Sequence, residues 1–112
     1  MTNPEANQPI HVSAVISGKP GTGDQLLPML QALAEGTHTE DGCLLYSLQR
    51  GIENPDQFVT VEKWTSGDAL TAHLATEHVQ AALAGAGDLL ASAPMIIPTL
   101  PVAAGDAAKS GY

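Results

Sequence analysis

The chain has 112 residues, enough for one domain and too few for two independent cores. Twelve acidic side chains against four basic ones give a formal charge of −8. Arg50 is the single arginine and Lys19, Lys63 and Lys109 are scattered, which argues against a phosphate-tracking nucleic-acid surface and an anionic-membrane binder.

Residues 1–9 are polar, with two prolines, and read as a flexible leader; they lack the basic and apolar regions of a signal peptide. Ile10, Val12, Ala14 and Ile16 alternate with His11, Ser13 and Ser17, the pattern of a half-buried strand. Lys19-Pro20-Gly21 stops it. Thr22 and Gln25 have the spacing of a capping box, and Leu26, Leu27, Leu30, Leu33 and Ala34 share one face of the helix that follows. Pro28 requires either a helix start near Asp24, which leaves the proline in the first turn, or a kink. Gly36 weakens the helix end.

Cys43–Arg50 reads as a second strand, with Leu44, Tyr46 and Leu48 on one face and Leu45, Ser47 and Gln49 on the other. Asn54-Pro55-Asp56 is a turn, and Phe58–Trp64 is a third strand, closing a hairpin. Thr65 and Asp68 suit a helix start, with Leu70 and Leu74 as its core positions. His78 opens another helical stretch through Leu83, which Gly85 and Gly87 interrupt. Met95–Val102 is β-branched and apolar, but Pro98 and Pro101 confine it to a sheet edge. Residues 103–112 read as a flexible tail, so the folded domain spans 10–102.

The predicted order is β-α-β-β-α-β, an α+β, ferredoxin-like arrangement. Helices on one face of a four-stranded sheet leave the other bare. In a chain with only 14% charged residues, a second copy is expected to cover it as a homodimer. A lone cysteine, Cys43, excludes an intramolecular disulfide and any multi-cysteine metal site, and the default setting is the reducing cytoplasm. No run approaches a membrane span.

The chemistry-bearing residues concentrate in one stretch. Trp64 and Glu62 alternate onto one strand face with Phe58 and Thr60. Trp64 is either a core residue or the wall of a pocket for a flat ring. Glu62 is either a hydrogen-bond acceptor for a helix end or partner subunit or, if desolvated alone, a base. His73 sits at the margin of the apolar stripe beside Leu74, and His78 at the next helix start; either is a general-base candidate, with His73 preferred for a pocket. Five positions on one helix diverge by about 140°. The pair therefore makes no metal clip, and no metal site is expected. Tyr46 is either a half-buried strand residue or a hydroxyl donor to substrate. Flavin, nicotinamide, nucleotide and hydrolase signatures do not occur, so no cofactor is expected.

The segment from Glu62 to His78, EKWTSGDALTAHLATEH, with Lys19-Pro20-Gly21 and with Asp41-Gly42-Cys43 leading into the Tyr46 strand, resembles the antibiotic biosynthesis monooxygenase family and its quinol-monooxygenase branch. The resemblance covers about residues 10–101. It implies a dimeric α+β barrel and a monooxygenase that works without a cofactor on a small electron-rich aromatic, a phenol or quinol, with O2. On this reading His73 and Trp64 are catalytic, and Tyr46, Glu62 and His78 contact substrate. The haem-degrading relatives of this fold carry a strand-one Asn, a helix-two Trp and a ligating His. Here Ile10 is followed by no Asn in its strand, and His73 and Leu83 stand near the other two positions, which disfavours haem. An isomerase on the same scaffold and a non-catalytic binding dimer are the competing readings.

Overall fold

The computed structural model describes residues 8–111. The elements run β1 (Ile10–Ser17), α1 (Gly23–His38), β2 (Cys43–Arg50), β3 (Gln57–Trp64), α2 (Gly67–Leu74), α3 (Glu77–Ala86), a 3-10 turn (Gly87–Leu89) and β4 (Met95–Thr99). The strands form one antiparallel sheet in the order β2-β3-β1-β4, so the split βαβ arrangement expected from the sequence is the one observed. Most of the expected leader lies outside the described residues, and residues 100–111 are exposed and carry no helix or strand.

Register explains the core. Ile10, Val12, Ala14 and Ile16 of β1 stand opposite Trp64, Glu62, Thr60 and Phe58 of β3, so the two alternating patterns fall on the same, helix-covered face. One apolar cluster joins Ile10, Val12, Tyr46, Trp64 and Leu70; a second joins Ile16, Leu26, Leu30, Phe58 and Ala86. Ala14 and Thr60, paired across β1 and β3, belong to neither cluster. Their short side chains leave a gap between the clusters.

Several local expectations are corrected. The capping box does not form: Thr22 Oγ1 donates to the Lys19 carbonyl at 2.7 Å and does not cap the helix. The carboxylate of Asp56, from the β2–β3 turn, caps instead, accepting from the Gly21 and Gly23 amides at 2.9 and 2.8 Å. Gly21 takes φ +86°, a conformation that costs glycine little. α1 starts at Gly23 and holds Pro28 in its second turn, on the exposed side. The helix also runs through Gly36, where a Cβ would stand 2.7 Å from Cγ of His78. Glycine at that site therefore permits close approach of α1 to the His78 ring.

In β2 the pairing slips between Cys43 and Leu45, so Leu44 is an extra residue and lies exposed off the face that Tyr46 and Leu48 share. Ser66, not Thr65, caps α2 by accepting from the Ala69 amide. α3 continues past Gly85 to Ala86. β4 ends at Thr99 rather than Val102, and it is an edge strand paired only to β1, as its prolines require.

Candidate active site

α2 is only eight residues long, and its burial reverses the expected order: His73 is 5% exposed and Leu74 38%. His73 thus takes the core position, its ring centroid 4.5 Å from the fully buried Trp64 indole and 6.0 Å from the Tyr46 ring. A buried imidazole needs hydrogen-bond partners. His73 Nδ1 finds one at 2.7 Å in Oε2 of Glu40, in the α1–β2 loop. His78 Nε2 reaches the same oxygen at 2.8 Å.

This convergence overturns the expectation that His73 and His78 diverge. The helix breaks at Ala75, and Thr76 restarts it, its hydroxyl donating to the His73 carbonyl at 2.7 Å and accepting from the Val79 amide. The turn brings the two imidazole centroids to 6.0 Å. A two-His, one-carboxylate cluster absent from the linear sequence is therefore present in space. A carboxylate oxygen only accepts, so the hydrogens sit on His73 Nδ1 and His78 Nε2. In the neutral His73 ring Nε2 is then the acceptor, and among the described residues it makes no hydrogen bond.

His73 lines a cavity of about 100 Å³ between the sheet and the helices. Its walls include Ala14, Leu30, Leu33, Val79 and Ile96, and the polar residues among its lining are Tyr46, Thr60 and His73. The gap beside Ala14 and Thr60 is part of this space. Burial pushes the Tyr46 phenol well above its ordinary pKa, and the Glu62 carboxylate adds to the shift, so Tyr46 remains a neutral donor.

Trp64, Glu62 and His78 stand outside the cavity lining. The Trp64 Nε1–H donates at 2.9 Å to Oε1 of Glu62, and the Thr60 hydroxyl donates at 2.6 Å to Oε2. Glu62, 4% exposed, is thus an acceptor for its own strand, neither a lone desolvated base nor a helix-end acceptor. Trp64 backs the His73 ring rather than presenting its N–H to the cavity. His78 packs under Gly36 and shares Glu40. The structure therefore gathers all five sequence candidates into one region, with Tyr46 and His73 at the cavity and the other three behind them. Residue type and spacing did not mark Glu40 and Thr60 as site residues. Glu40 directly precedes Asp41-Gly42-Cys43, but a single loop carboxylate has no periodicity to mark it.

Residues 9–85 match the family described as Antibiotic biosynthesis monooxygenase. The chain is 33% identical over 86 residues to YcnE of Bacillus subtilis (strain 168), by its name a candidate monooxygenase, covering 77% of this chain and 90% of that one. Among solved structures, it is similar to an antibiotic biosynthesis monooxygenase with a TM-score of 0.79 and 30% identity, over 84% of this chain and 99% of that one. PA3566 from Pseudomonas aeruginosa superimposes equally well, with a TM-score of 0.79 and 30% identity over 86% and 96% of the two chains. The chain belongs to the antibiotic biosynthesis monooxygenase family.

Proposed function

We propose that the protein is a monooxygenase that uses O2 without a prosthetic group, acting on a small electron-rich aromatic, a phenol or quinol. The observation that carries this reading is the His73 imidazole: Glu40 holds its Nδ1–H, Trp64 backs its ring, and its open Nε2 belongs to a residue lining an apolar cavity. Engineered cavities of roughly 150 Å³ take up benzene. One ring is therefore the scale of substrate that this space favours, with the remainder of a larger molecule passing out by Leu83 and Ile96 at its rim.

In the proposed reaction Nε2 of His73 accepts the substrate's hydroxyl proton, and Glu40 stabilises the imidazolium. Tyr46 donates to a substrate oxygen. The phenolate passes one electron to O2, giving a phenoxyl radical and superoxide. These combine in a C–O bond at a ring carbon that bears hydrogen. Return of the His73 proton to the terminal oxygen, loss of the ring hydrogen as a proton and cleavage of the O–O bond release water and leave a carbonyl. One oxygen atom enters the quinone and the other leaves as water, so all four electrons taken by O2 come from the substrate. An apolar, water-poor site favours this chemistry because it protects the radical pair from competing protonation.

The working unit that we propose is a homodimer in the cytoplasm, where the lone Cys43 thiol stays reduced. Val15, Val59, Val61 and Ile97 face away from the helices by register. A second copy would cover them. Among the described residues no helix is long and apolar enough to cross a membrane.

The test is oxygen uptake with single-ring phenols and hydroquinones, read with 18O2. Turnover should place one labelled atom in the product and one in water, and His73→Ala should lower it by roughly 10²–10⁴-fold. Binding of these aromatics without oxygen uptake would overturn the oxygenase reading in favour of an isomerase or a non-catalytic binding dimer.

A further inference from the structure

We propose that Glu40, His73 and His78 form a binding site for one divalent transition-metal ion of the zinc class. The three donor atoms, Glu40 Oε2, His73 Nδ1 and His78 Nε2, all lie within 4.8 Å of one another. They come from three places in the fold: the α1–β2 loop, the end of α2 and the start of α3. Two imidazole nitrogens and one carboxylate oxygen are a donor set that suits Zn²⁺ and leaves a fourth position for water.

The local chemistry favours a cation. Both imidazoles converge on one oxygen, at 2.7 and 2.8 Å, so the three donors are gathered at one place. The Glu40 side chain is only 14% exposed, and among the described residues its ion-pair partners are these two histidines, with no Lys or Arg. A divalent ion held by these donors would compensate the largely buried Glu40 carboxylate. Metal bonds of about 2.0–2.1 Å in a tetrahedron separate the ligand atoms by about 3.3 Å. Glu40 Oε2 thus draws back from each nitrogen by roughly half an ångström, and the two nitrogens, within 4.8 Å of each other, close to about 3.3 Å to accept an ion.

The surroundings hold the His73 ring and leave His78 room to adjust. Trp64 backs His73, and the His73 carbonyl is held by Thr76. His78 lies against Gly36, yet its side chain is 25% exposed and can shift.

The site goes beyond the oxygenase reading and constrains it. An ion on Nδ1 moves the ring hydrogen of His73 to Nε2, which then cannot accept a substrate proton. Metal occupancy and base catalysis at His73 are therefore exclusive, and the metal-loaded protein is the inactive form.

The experiment is calorimetric titration of Zn²⁺ alone into tag-free, chelator-treated protein. One equivalent per chain should bind. Glu40→Gln and His78→Ala should each weaken binding at least tenfold, whereas His38→Ala, outside the cluster, should leave it unchanged. Circular dichroism checks that each variant folds. Because a variant can fail to fold, the wild-type protein supplies a second readout: Zn²⁺ should shift the ring NMR signals of His73 and His78 and spare those of His38. No binding, or binding that survives both substitutions with the His73 and His78 signals unmoved, would overturn the site. None of these readouts measures turnover, so the site can fail while the oxygenase reading stands, and the reverse.

Discussion

The indole of Trp64 and the imidazole of His73 lie with ring centroids 4.5 Å apart, although the two residues come from the end of a strand and the end of a helix. The contact is a buttress. Each ring turns a hydrogen-bonding nitrogen to a different carboxylate, Trp64 to Glu62 and His73 to Glu40.

Trp64→Phe keeps most of the packing area and deletes the N–H, which leaves Oε1 of buried Glu62 without its donor. Loss of one partner of a buried polar group costs about 1–3 kcal/mol. The expected outcome is a lower urea midpoint with an unchanged slope. The effect on substrate affinity should be secondary, because the indole stands behind the cavity wall and not in it. A variant as stable as the parent would show that Glu62 is not held by this bond.

Asp56 ties the hairpin turn to the start of α1, and the Gly21 and Gly23 amides hold its carboxyl below the usual carboxylate range. A depressed folded pKa contributes stability above the unfolded value, near 3.8, and loses it as pH falls through the lower folded value. Asp56→Asn has one acceptor oxygen for two amides. It should melt lower than the parent at pH 7, and the gap should narrow as pH falls below about 3.8. Thermal melts of both proteins across that range check the sign.

Burial raises the pKa of the Cys43 thiol, and the Glu40 and Glu62 carboxylates raise it further. The thiolate is the reactive species, so Cys43 should alkylate with iodoacetamide more slowly than a free thiol at pH 8. Glu40→Gln removes one of the two charges and should speed the reaction. Equal rates in both proteins would remove Glu40 from the electrostatics of this site.

Light scattering should give twice the chain mass of 11.5 kDa. A standard interface buries about 1,600 Å² in total. Val61→Lys places a charge in the middle of the open sheet face, between Ser13 and Ser47 in register, and should shift the protein toward monomer. A parent protein that is monomeric at micromolar concentration would show that the face is not self-paired.

The sequence by itself determined the strands, the helices and their order, because hydrophobic period is a local property: Ile10 to Ile16 and Phe58 to Trp64 alternate whatever they pack against. It also singled out Tyr46, Glu62, Trp64, His73 and His78 by residue type and spacing. Tertiary structure decided what each of them does. Glu40 meets His73 and His78 across 33 and 38 residues, and those contacts exist only because a loop closes over a broken helix. The same break exchanged the expected roles of His73 and Leu74. In a helix of eight residues, a nearby indole and carboxylate outweigh the pull of one leucine toward the core. Likewise, the cap on α1 came from Asp56 in a distant turn rather than from the Thr22–Gln25 spacing. Periodicity marks which face a side chain occupies where no bulge or helix break intervenes, as one does at Leu44 and at His73. Hydrogen-bond partners depend on distances between elements, and no local pattern encodes those.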